Sequence, residues 1–513
     1  MVGAGILLSR LAGLIRDRAF AHYFGNSDAA DAFRAAFRIP NFLQNLFGEG
    51  VLSASFIPAY AGLLARKEQR EAGELAGAIA AILGLVVSVL VLTGIWATPF
   101  LIAVIAPGFA GEKRELCIRL VRIFFPGAGL LVLSAWCLGV LNSHRRFLLS
   151  YTAPVIWNVA IIATLLLFGP TRSQFPLAAL AAWGSVAGSL LQLAVQVPIV
   201  LRLVGHLRLR LNFRLTEVRG VIANFIPVFV SRGVVQISAY VDSLIASLLP
   251  TGAVAGLGYA QTLSMLPVSL FGMSVSAAEL PTMSSALGSQ EEIARHLRTR
   301  LDSGLRQIAF FIVPSAVAFL ALGDVVTATI YQTGRFSRAD AVYVWAILAG
   351  SAVGLLASTL GRLYASSYYA LRDTRTPLRY AVVRVTLTIL FGYLAAIPLP
   401  PLLGIDPKWG VAGLTASAGV AGWLEFLLLR RSMNRRIGHT GLPLSFTLRL
   451  WGAAALGAGV AWGIKWALGS LHPLIIAVFV LGPYGLVYLA MLLLLGVPEA
   501  HGALGRAKRR LGL

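Results

Sequence analysis

The feature that most constrains this chain is a series of apolar runs, each roughly 20 residues long, that recurs from one end of the sequence to the other. An apolar helix of this length crosses the hydrocarbon core of a bilayer. Hydrophobic residues make up 58% of the 513 residues and charged residues only 12%, whereas about a quarter of the residues in soluble domains are charged. The sequence therefore predicts an all-α polytopic membrane protein without a soluble domain.

The apolar runs divide into about fourteen predicted transmembrane helices, joined for the most part by short polar loops. The predicted ranges are 2–23, 29–62, 75–106, 116–142, 149–169, 176–203, 218–249, 252–287, 302–332, 339–370, 377–398, 409–430, 446–468 and 473–496.

Basic residues fall on alternate loops. Arg66 and Lys67 follow the second predicted helix, Arg145 and Arg146 follow the fourth, and the tail "GRAKRRLGL" is basic, while "FGNSDAA", "LPTGAV" and "GSLHP" contain no Lys or Arg. Because loops rich in Lys and Arg stay in the cytoplasm, both termini are predicted to be cytoplasmic. Membrane lipids with anionic headgroups account for the net charge of +22, so no nucleic-acid partner is expected.

The second half of the chain resembles the first. "VLSASFIPAYA" at 51–61 resembles "SVSAAELPTMS" at 274–284, "APGF" at 106–109 resembles "TGRF" at 333–336, and "LLSR" at 7–10 resembles "FVSR" at 229–232. The shared order and offset predict two parallel six-helix lobes with a substrate site between them. The predicted domains are an N-lobe at 1–203, a cytoplasmic linker at 204–217, a C-lobe at 218–436, two further helices at 437–497 and a basic cytoplasmic tail at 498–513.

Charged residues lie inside the first predicted helix. At about 100° per residue, Ser9, Arg10, Gly13, Arg16 and Asp17 share roughly a third of the helix circumference. An arginine at the centre of a bilayer costs at least about 2.5 kcal/mol and is retained mostly where it faces a cavity or a partner. We therefore expect this polar stripe to line a water-accessible cavity. The alternative is a buried Arg16–Asp17 pair that only locks helices together.

The seventh predicted helix repeats this geometry. Ser231, Ser238 and Asp242 lie within roughly a third of the circumference from Arg232, and by pseudosymmetry this stripe faces the same cavity. Excess guanidinium suits a phosphate or diphosphate, which arginine grips through several donors. A transporter of cationic drugs would instead require excess carboxylate.

The second predicted helix is also polar. Pro40 is expected to kink or break it, and whether Arg34 and Arg38 line the cavity or form an exposed face near the outer end is left open. Charges in later helices are first interpreted as structural pairings, namely Glu279, Arg362, Arg384 and Glu425. The polar residues of the second helix are Asp31, Arg34, Arg38, Asn41, Gln44, Asn45 and Glu49.

Over nearly its full length the chain resembles the MurJ/MviN family, the lipid II flippases of the MOP exporter superfamily. The resemblance rests on "SRLAGLIRD" (9–17), "DAFRAAFRIPNFLQNLFGEGVLSASFIP" (31–58) and "APGF" (106–109), with support from "QISAYVDSLIASLLP" (236–250) and "LRDTRTP" (371–377). It implies two lobes around a central cavity in the bacterial cytoplasmic membrane, with a groove for the lipid tail at 437–497. It also implies alternating access that moves the polyprenyl-diphosphate-linked lipid II to the outer leaflet. Matching positions imply substrate-binding roles for Ser9, Arg10, Gly13, Arg16, Asp17, Asp31 and Glu49.

The chain departs from the family pattern at two positions, because Gln44 and Thr262 stand where the family typically has arginines. We hypothesise that Arg232 supplies the missing cation of the second lobe. Three alternatives stay open: a flippase for another polyprenyl-linked saccharide, an ion-coupled drug antiporter and a non-transporting membrane scaffold. No enzymatic activity and no cofactor are expected. Coupling to the membrane potential or to a monovalent ion, and contact with cell-wall synthesis proteins, are left open.

Overall fold

The computed structural model describes residues 2–47, 49–205, 207–212, 215–284, 289–469 and 471–511. In this part of the chain the secondary structure is helical, without a β-strand. The α-helices are α1 (Val2–Phe24), α2 (Asp28–Phe47), α3 (Glu49–Ala65), α4 (Gln69–Ile105), α5 (Gly111–Ser143), α6 (Phe147–Phe168), α7 (Gln174–Val204), α8 (Thr216–Ser247), α9 (Ala253–Pro267), α10 (Ser274–Ser284), α11 (Gln290–Ala321), α12 (Gly323–Tyr331), α13 (Arg338–Val353), α14 (Leu355–Ala370), α15 (Arg375–Ala396), α16 (Leu399–Leu402), α17 (Gly410–Ile437), α18 (Leu444–Leu468), α19 (Pro473–Leu494) and α20 (Pro498–Leu511). A π-helix at Val268–Met273 connects α9 to α10, and a short 3-10 helix at Pro407–Trp409 precedes α17.

Each predicted transmembrane segment coincides with a helix or with consecutive helices. Among the described residues, 10 helices are long and apolar enough to cross a membrane, or up to 11 when the bent pair α13–α14 is counted as one span. The remaining predicted spans correspond to α1, to α2 with α3, and to α8. Helices α1 and α8 have 23 and 32 residues, which is sufficient length for a crossing. The predicted all-α multi-pass membrane fold is therefore confirmed.

The second predicted span is not broken at Pro40. Helix α2 (Asp28–Phe47) continues through this residue, and the described chain resumes in α3 at Glu49, while a kink at Pro40 stays a prediction. A proline removes one backbone hydrogen bond, and a membrane helix tolerates this loss where neighbouring helices pack against it. In the corresponding span of the second half, a π-helix lies between α9 and α10. The repeated motifs lie in α3 and α10, so the two halves agree in local structure.

The chain forms two compact units. The first comprises Met1–Ala255 with Thr333–Phe336, and the second comprises Gly256–Gln332 with Ser337–Leu513. Helix α8 therefore groups with the first unit, whereas the sequence repeat assigns it to the second lobe. The compact units are defined by contacts within the chain and the predicted lobes by the sequence repeat, so the lobe boundaries stay a prediction.

In the first unit, α5 lies at the centre and packs against α2, α3, α4 and α7, while α1 packs against α6. Phe56 and Tyr60 of α3 are fully buried in the core and contact the same cluster as Trp136 of α5. This packing holds α1 and α2 in a defined position relative to α5 and α6, which is what positions the polar residues described below.

In the second unit, α17 packs against α13, α14 and α15. The chain bends by 42° between α13 and α14 at Gly354, where a Cβ atom would lie 2.3 Å from the Cα of Gly419. Helix α19 packs on α18 and binds α11 through two tyrosines. The Tyr488 hydroxyl donates to the carbonyl of Phe310 at 2.7 Å, a carbonyl that Pro314 cannot satisfy because proline has no N–H group.

Candidate functional site

The first half of α1 carries the open part of the predicted polar stripe. Arg10 is exposed and Ser9 is half-buried, and a Cβ atom built on Gly13 would meet no atom within 4 Å. Within the described residues, Arg10 makes no side-chain hydrogen bond or ion pair. The guanidinium of Arg10 is therefore exposed and has no counter-charge among the described residues.

The second half of the stripe is packed into the first unit. Asp17 is buried and accepts hydrogen bonds from Arg16, with the Nη2–Oδ1 distance at 2.9 Å. Its second oxygen lies 3.5 Å from Nη1 of Arg34 on α2. Arg16 also donates from Nη1 to the Asn158 amide oxygen on α6 at 3.1 Å. One carboxylate therefore joins two guanidinium groups, and α1 is tied to α2 and α6.

Aromatic rings cover the same arginines. The guanidinium carbon of Arg16 lies 5.2 Å from the centre of the Phe37 ring and 5.6 Å from that of Trp157. These two rings stack on each other at 5.4 Å. Arg34 lies 5.0 Å from the Phe20 ring. Such cation–π contacts stabilise guanidinium groups that are largely removed from water.

The predicted stripe is thus uneven along α1. Arg10 is exposed and Gly13 adjoins open space, whereas Arg16 and Asp17 form the ion pair that the sequence offered as the alternative. The Arg16 side chain is 17% exposed to solvent. Its substrate-binding role stays a prediction, and its contacts in this structure are with protein groups.

A second polar contact joins α2 to α8. The Tyr240 hydroxyl donates to the backbone carbonyl of Arg38 at 2.7 Å, and the guanidinium of Arg38 lies 6.0 Å from the Tyr240 ring. Arg38 also interacts electrostatically with Asp242. The half-buried Arg38 therefore faces the first unit, which favours the interpretation that it lies inside the protein rather than on an outer face.

Asp31 is the most highly coordinated carboxylate near the other end of α1. Its Oδ2 atom lies 2.6 Å from Nζ of Lys113 and accepts the N–H of Gly252 at 2.8 Å, while Oδ1 accepts the N–H of Ala255 at 2.7 Å. The two N–H groups belong to the start of α9, where a carboxylate satisfies free donors and the helix dipole. Asp28 extends the cluster by binding Lys113 at 3.0 Å and Thr251 at 2.8 Å.

These contacts give Asp31 a structural role in this structure, since protein groups occupy both of its oxygens. This differs from the predicted contact with substrate, which remains untested. We call this cluster the end clamp; it consists of Asp28, Asp31, Lys113, Thr251 and the N–H groups of residues 252 and 255.

The repeated motifs "APGF" and "TGRF" lie at the same end of the first unit. Gly108 lies against Ser247 at the end of α8, and its N–H lies 3.5 Å from the Ser247 hydroxyl. In the other copy, the Arg335 N–H donates to the His22 carbonyl near the end of α1 at 2.8 Å, and the His22 ring lies 2.9 Å from the Thr333 hydroxyl. Each motif thus packs on the end of the helix that begins the other repeat.

Two predicted site residues cannot be assigned contacts. Arg232 lies on α8 and Glu49 begins α3, but both side chains lie outside the described residues. At the two departures from the family pattern, Gln44 is half-buried on α2, and Thr262 on α9 donates to the carbonyl of Gly258 at 3.1 Å.

The polar residues of the second unit are mainly structural. Arg384 pairs with Glu425 at 3.3 Å, as expected. In "LRDTRTP", Asp373 accepts the backbone N–H groups of Arg375 and Thr376 and pairs with Arg436 at 2.7 Å. These donors, first the Thr376 N–H, lower the pKa of Asp373 to about 2. This motif therefore caps the first turn of α15.

Sequence reasoning missed Lys113, Asn158 and Thr251. Lys113 carried a usable signal, because it is a basic residue near a loop on the side where the alternating pattern expects few. Asn158 and Thr251 carried no signal, because each forms its hydrogen bond with a residue that is distant in sequence.

Comparison with known proteins gives one consistent result. A family model described as lipid II flippase MurJ matches residues 20–481. A relative from Burkholderia cenocepacia named "Lipid II flippase MurJ" is 33% identical over 463 residues, covering 88% of this chain and 87% of the relative. The "Probable lipid II flippase MurJ" of Haemophilus influenzae is 30% identical over 516 residues, covering 96% of this chain and 99% of the relative.

Two solved structures share the fold. One, described as lipid II flippase MurJ in an inward closed conformation, has a TM-score of 0.78 at 23% identity and covers 96% of this chain and 97% of its own. The other is an inward-facing multidrug resistance transporter of the MATE family within the MOP superfamily. It has a TM-score of 0.68 at 17% identity and covers 83% of this chain and 95% of its own.

Proposed function

Because this chain belongs to the lipid II flippase MurJ family, we propose that it moves lipid II from the inner to the outer leaflet of the bacterial cytoplasmic membrane. The protein is a transporter rather than an enzyme. The observation that carries the proposal for this chain is the exposed Arg10 beside the open position of Gly13, since an accessible guanidinium inside a membrane helix suits a diphosphate.

The proposed topology places both termini in the cytoplasm, because the basic loops then lie inside. Helix α1 begins at the cytoplasmic side, so Arg10 is reached from the cytoplasm. The end clamp then lies at the outer side. The first unit is thus open to an anion from the cytoplasm and held together at its outer end, which suits the state that receives the headgroup.

In the proposed cycle, the diphosphate of lipid II binds Arg10 together with Arg232, which supplies a cation from α8. Arg16 and Arg34 add positive charge nearby, and Asp17 offsets part of it. Binding lowers the mutual repulsion of these guanidinium groups. Opening to the outside then requires the end clamp to separate, with Asp31 releasing the start of α9. The polyprenyl tail remains beside the helices at 437–497.

The membrane potential is the proposed source of direction. With the inside negative, moving one elementary charge across the membrane changes its free energy by roughly 2.3 kcal/mol per 100 mV. An anionic headgroup is therefore driven outward, and an emptied cationic site is drawn back toward the cytoplasm. We further propose that cell-wall synthesis proteins take up the lipid II exposed at the outer surface.

The test is complementation of cells depleted of their own flippase, with exposure of lipid II on the outer leaflet as the measurement. We expect the wild-type chain to restore exposure, and Arg10→Ala and Arg232→Ala each to reduce it about a hundredfold, because charge-assisted contacts with the diphosphate are lost. Membrane insertion of each variant is measured in parallel.

Arg70→Ala is the matched control, because it also removes one guanidinium from the chain, and Arg70 is 80% exposed in a surface pair with Glu74. It should leave lipid II exposure unchanged. Full rescue by Arg10→Ala would contradict the proposed site, and failure of the wild-type chain to expose lipid II would contradict the proposed substrate.

A further inference from the structure

A second group of cations lies on α5, away from the site on α1. Glu115, Arg119 and Arg122 are spaced so that they fall within about 60° on one face of the helix, and all three are exposed. Most of the remainder of α5 is buried. The exposed charged face is therefore confined to the first three turns.

This face departs from the alternating charge pattern. By the proposed topology, α5 begins at the outer side of the membrane, where basic residues are disfavoured. Lys113 is accounted for by Asp28 and Asp31 in the end clamp. Arg119 and Arg122 have no such explanation, because neither forms a side-chain hydrogen bond or ion pair with any described residue.

The two arginines open into a groove between α5 and α7. The groove has a volume of about 590 Å³. It is lined by Glu115, Ile118, Arg119, Arg122, Ile123 and Trp183. Its charged groups sum to one positive charge, since a single carboxylate accompanies two guanidinium groups.

The α7 side of the groove continues as an apolar surface. Trp183 is 54% exposed, and Leu190, Leu191 and Val195 further along α7 are 55%, 51% and 42% exposed. Tryptophan is common at the level of lipid headgroups, and the residues that follow have the composition of a surface in contact with acyl chains. A charged end and an apolar continuation match the two parts of a phospholipid.

We propose that this groove binds the phosphodiester headgroup of an anionic phospholipid. Arg119 and Arg122 donate to the phosphate oxygens, and the acyl chains lie along the exposed face of α7. The single negative charge of such a lipid balances the surplus positive charge of the groove. The proposed topology assigns this lipid to the outer leaflet, and the site is independent of the lipid II pathway on α1.

The test measures lipid binding to the purified, delipidated full-length protein by native mass spectrometry. The probes are phosphatidylglycerol, phosphatidylethanolamine and inorganic phosphate. We expect phosphatidylglycerol to bind about tenfold more tightly than phosphatidylethanolamine, and the double variant Arg119→Gln/Arg122→Gln to lose this preference. Millimolar inorganic phosphate should not displace the lipid, because it lacks the contact with α7.

Two further variants make the test sharper. Glu115→Gln removes a negative charge that repels the lipid phosphate, so it should tighten phosphatidylglycerol binding. Arg172→Gln/Arg338→Gln removes two exposed arginines elsewhere and should leave binding unchanged. Equal binding of phosphatidylglycerol to wild type and the groove double variant would overturn the proposal. The proposal would also be overturned if the control variant lost as much phosphatidylglycerol binding, or if inorganic phosphate displaced the lipid. Weaker phosphatidylethanolamine binding in Glu115→Gln would overturn it as well, because it would indicate a zwitterionic lipid.

Discussion

The two halves of α1 place the same kind of residue in opposite situations. Arg10 is exposed beside open space, whereas Arg16, less than two turns further on, pairs with Asp17 and lies between Phe37 and Trp157. The difference arises from the neighbouring helices, because α2 and α6 bring a second guanidinium, an amide and aromatic rings to the second half only. A cation inside a membrane helix is therefore not a binding group by itself. The proposed binding group is Arg10, whose neighbours among the described residues supply no counter-charge.

The first way to sharpen this comparison is to fix the end clamp. Replacing Asp28 and Thr251 with cysteine and joining them with a short, reducible methanethiosulfonate cross-linker should abolish nearly all lipid II exposure, because the outer end can no longer separate. A reductant should restore it. The native residues Cys117 and Cys137 are buried, and each single-cysteine variant treated with the same reagent serves as control. Undiminished transport by the cross-linked protein would mean that the clamp does not open during the cycle.

The second prediction concerns the stability of the clamped end. Asp31→Ala should lower the free energy of unfolding by about 3 kcal/mol, because it removes the main partner of the largely buried Lys113 and leaves two N–H groups without an acceptor. Denaturant unfolding in detergent micelles measures the change. Asp28→Ala is the control. The Asp28 carboxylate is 45% exposed, so its loss should cost less than about 1 kcal/mol. Equal effects of the two variants would argue against Asp31 as the centre of the clamp.

The smallest predicted effect tests whether Arg16 only locks helices together. We expect Arg16→Gln and Asp17→Asn to lower stability separately, and the losses to sum to about 1 to 2 kcal/mol more than the loss in the double variant, because the contact between these two side chains is lost in each single variant but only once in the double variant. The same double variant should still transport about tenfold less than wild type, since a cation near the diphosphate is missing. Full transport by the double variant would mean that the Arg16–Asp17 pair has only a structural role.

Much of the fold could be predicted because membrane helices are specified locally. An apolar run of sufficient length is recognised without knowledge of its neighbours, and the predicted segments match α1 to α15 and α17 to α19, either singly or as consecutive helices. Pro40 shows the limit of local rules, since the helix continues past it. Periodicity also identified the polar face of α1, but not which of its members are paired.

The partners of the charged side chains could not be predicted from the sequence, because they come from distant parts of the chain. Arg16 reaches Asn158 across 142 positions, Asp31 reaches Lys113 across 82, and the N–H of Gly252 lies 221 positions from its acceptor. No local pattern encodes these distances. Lys113 was the exception that could have been questioned, as its charge lies on the side of the membrane where few are expected.

The sequence by itself determined that this chain is a multi-pass helical membrane protein with guanidinium groups inside its spans, because the cost of burying a residue in hydrocarbon depends on that residue and its immediate neighbours. Only the tertiary structure decided which of those guanidinium groups is neutralised and which is open. The physical reason is that a charge–charge contact acts over a few ångströms in space, and the helices that supply the counter-charges come from distant parts of the chain.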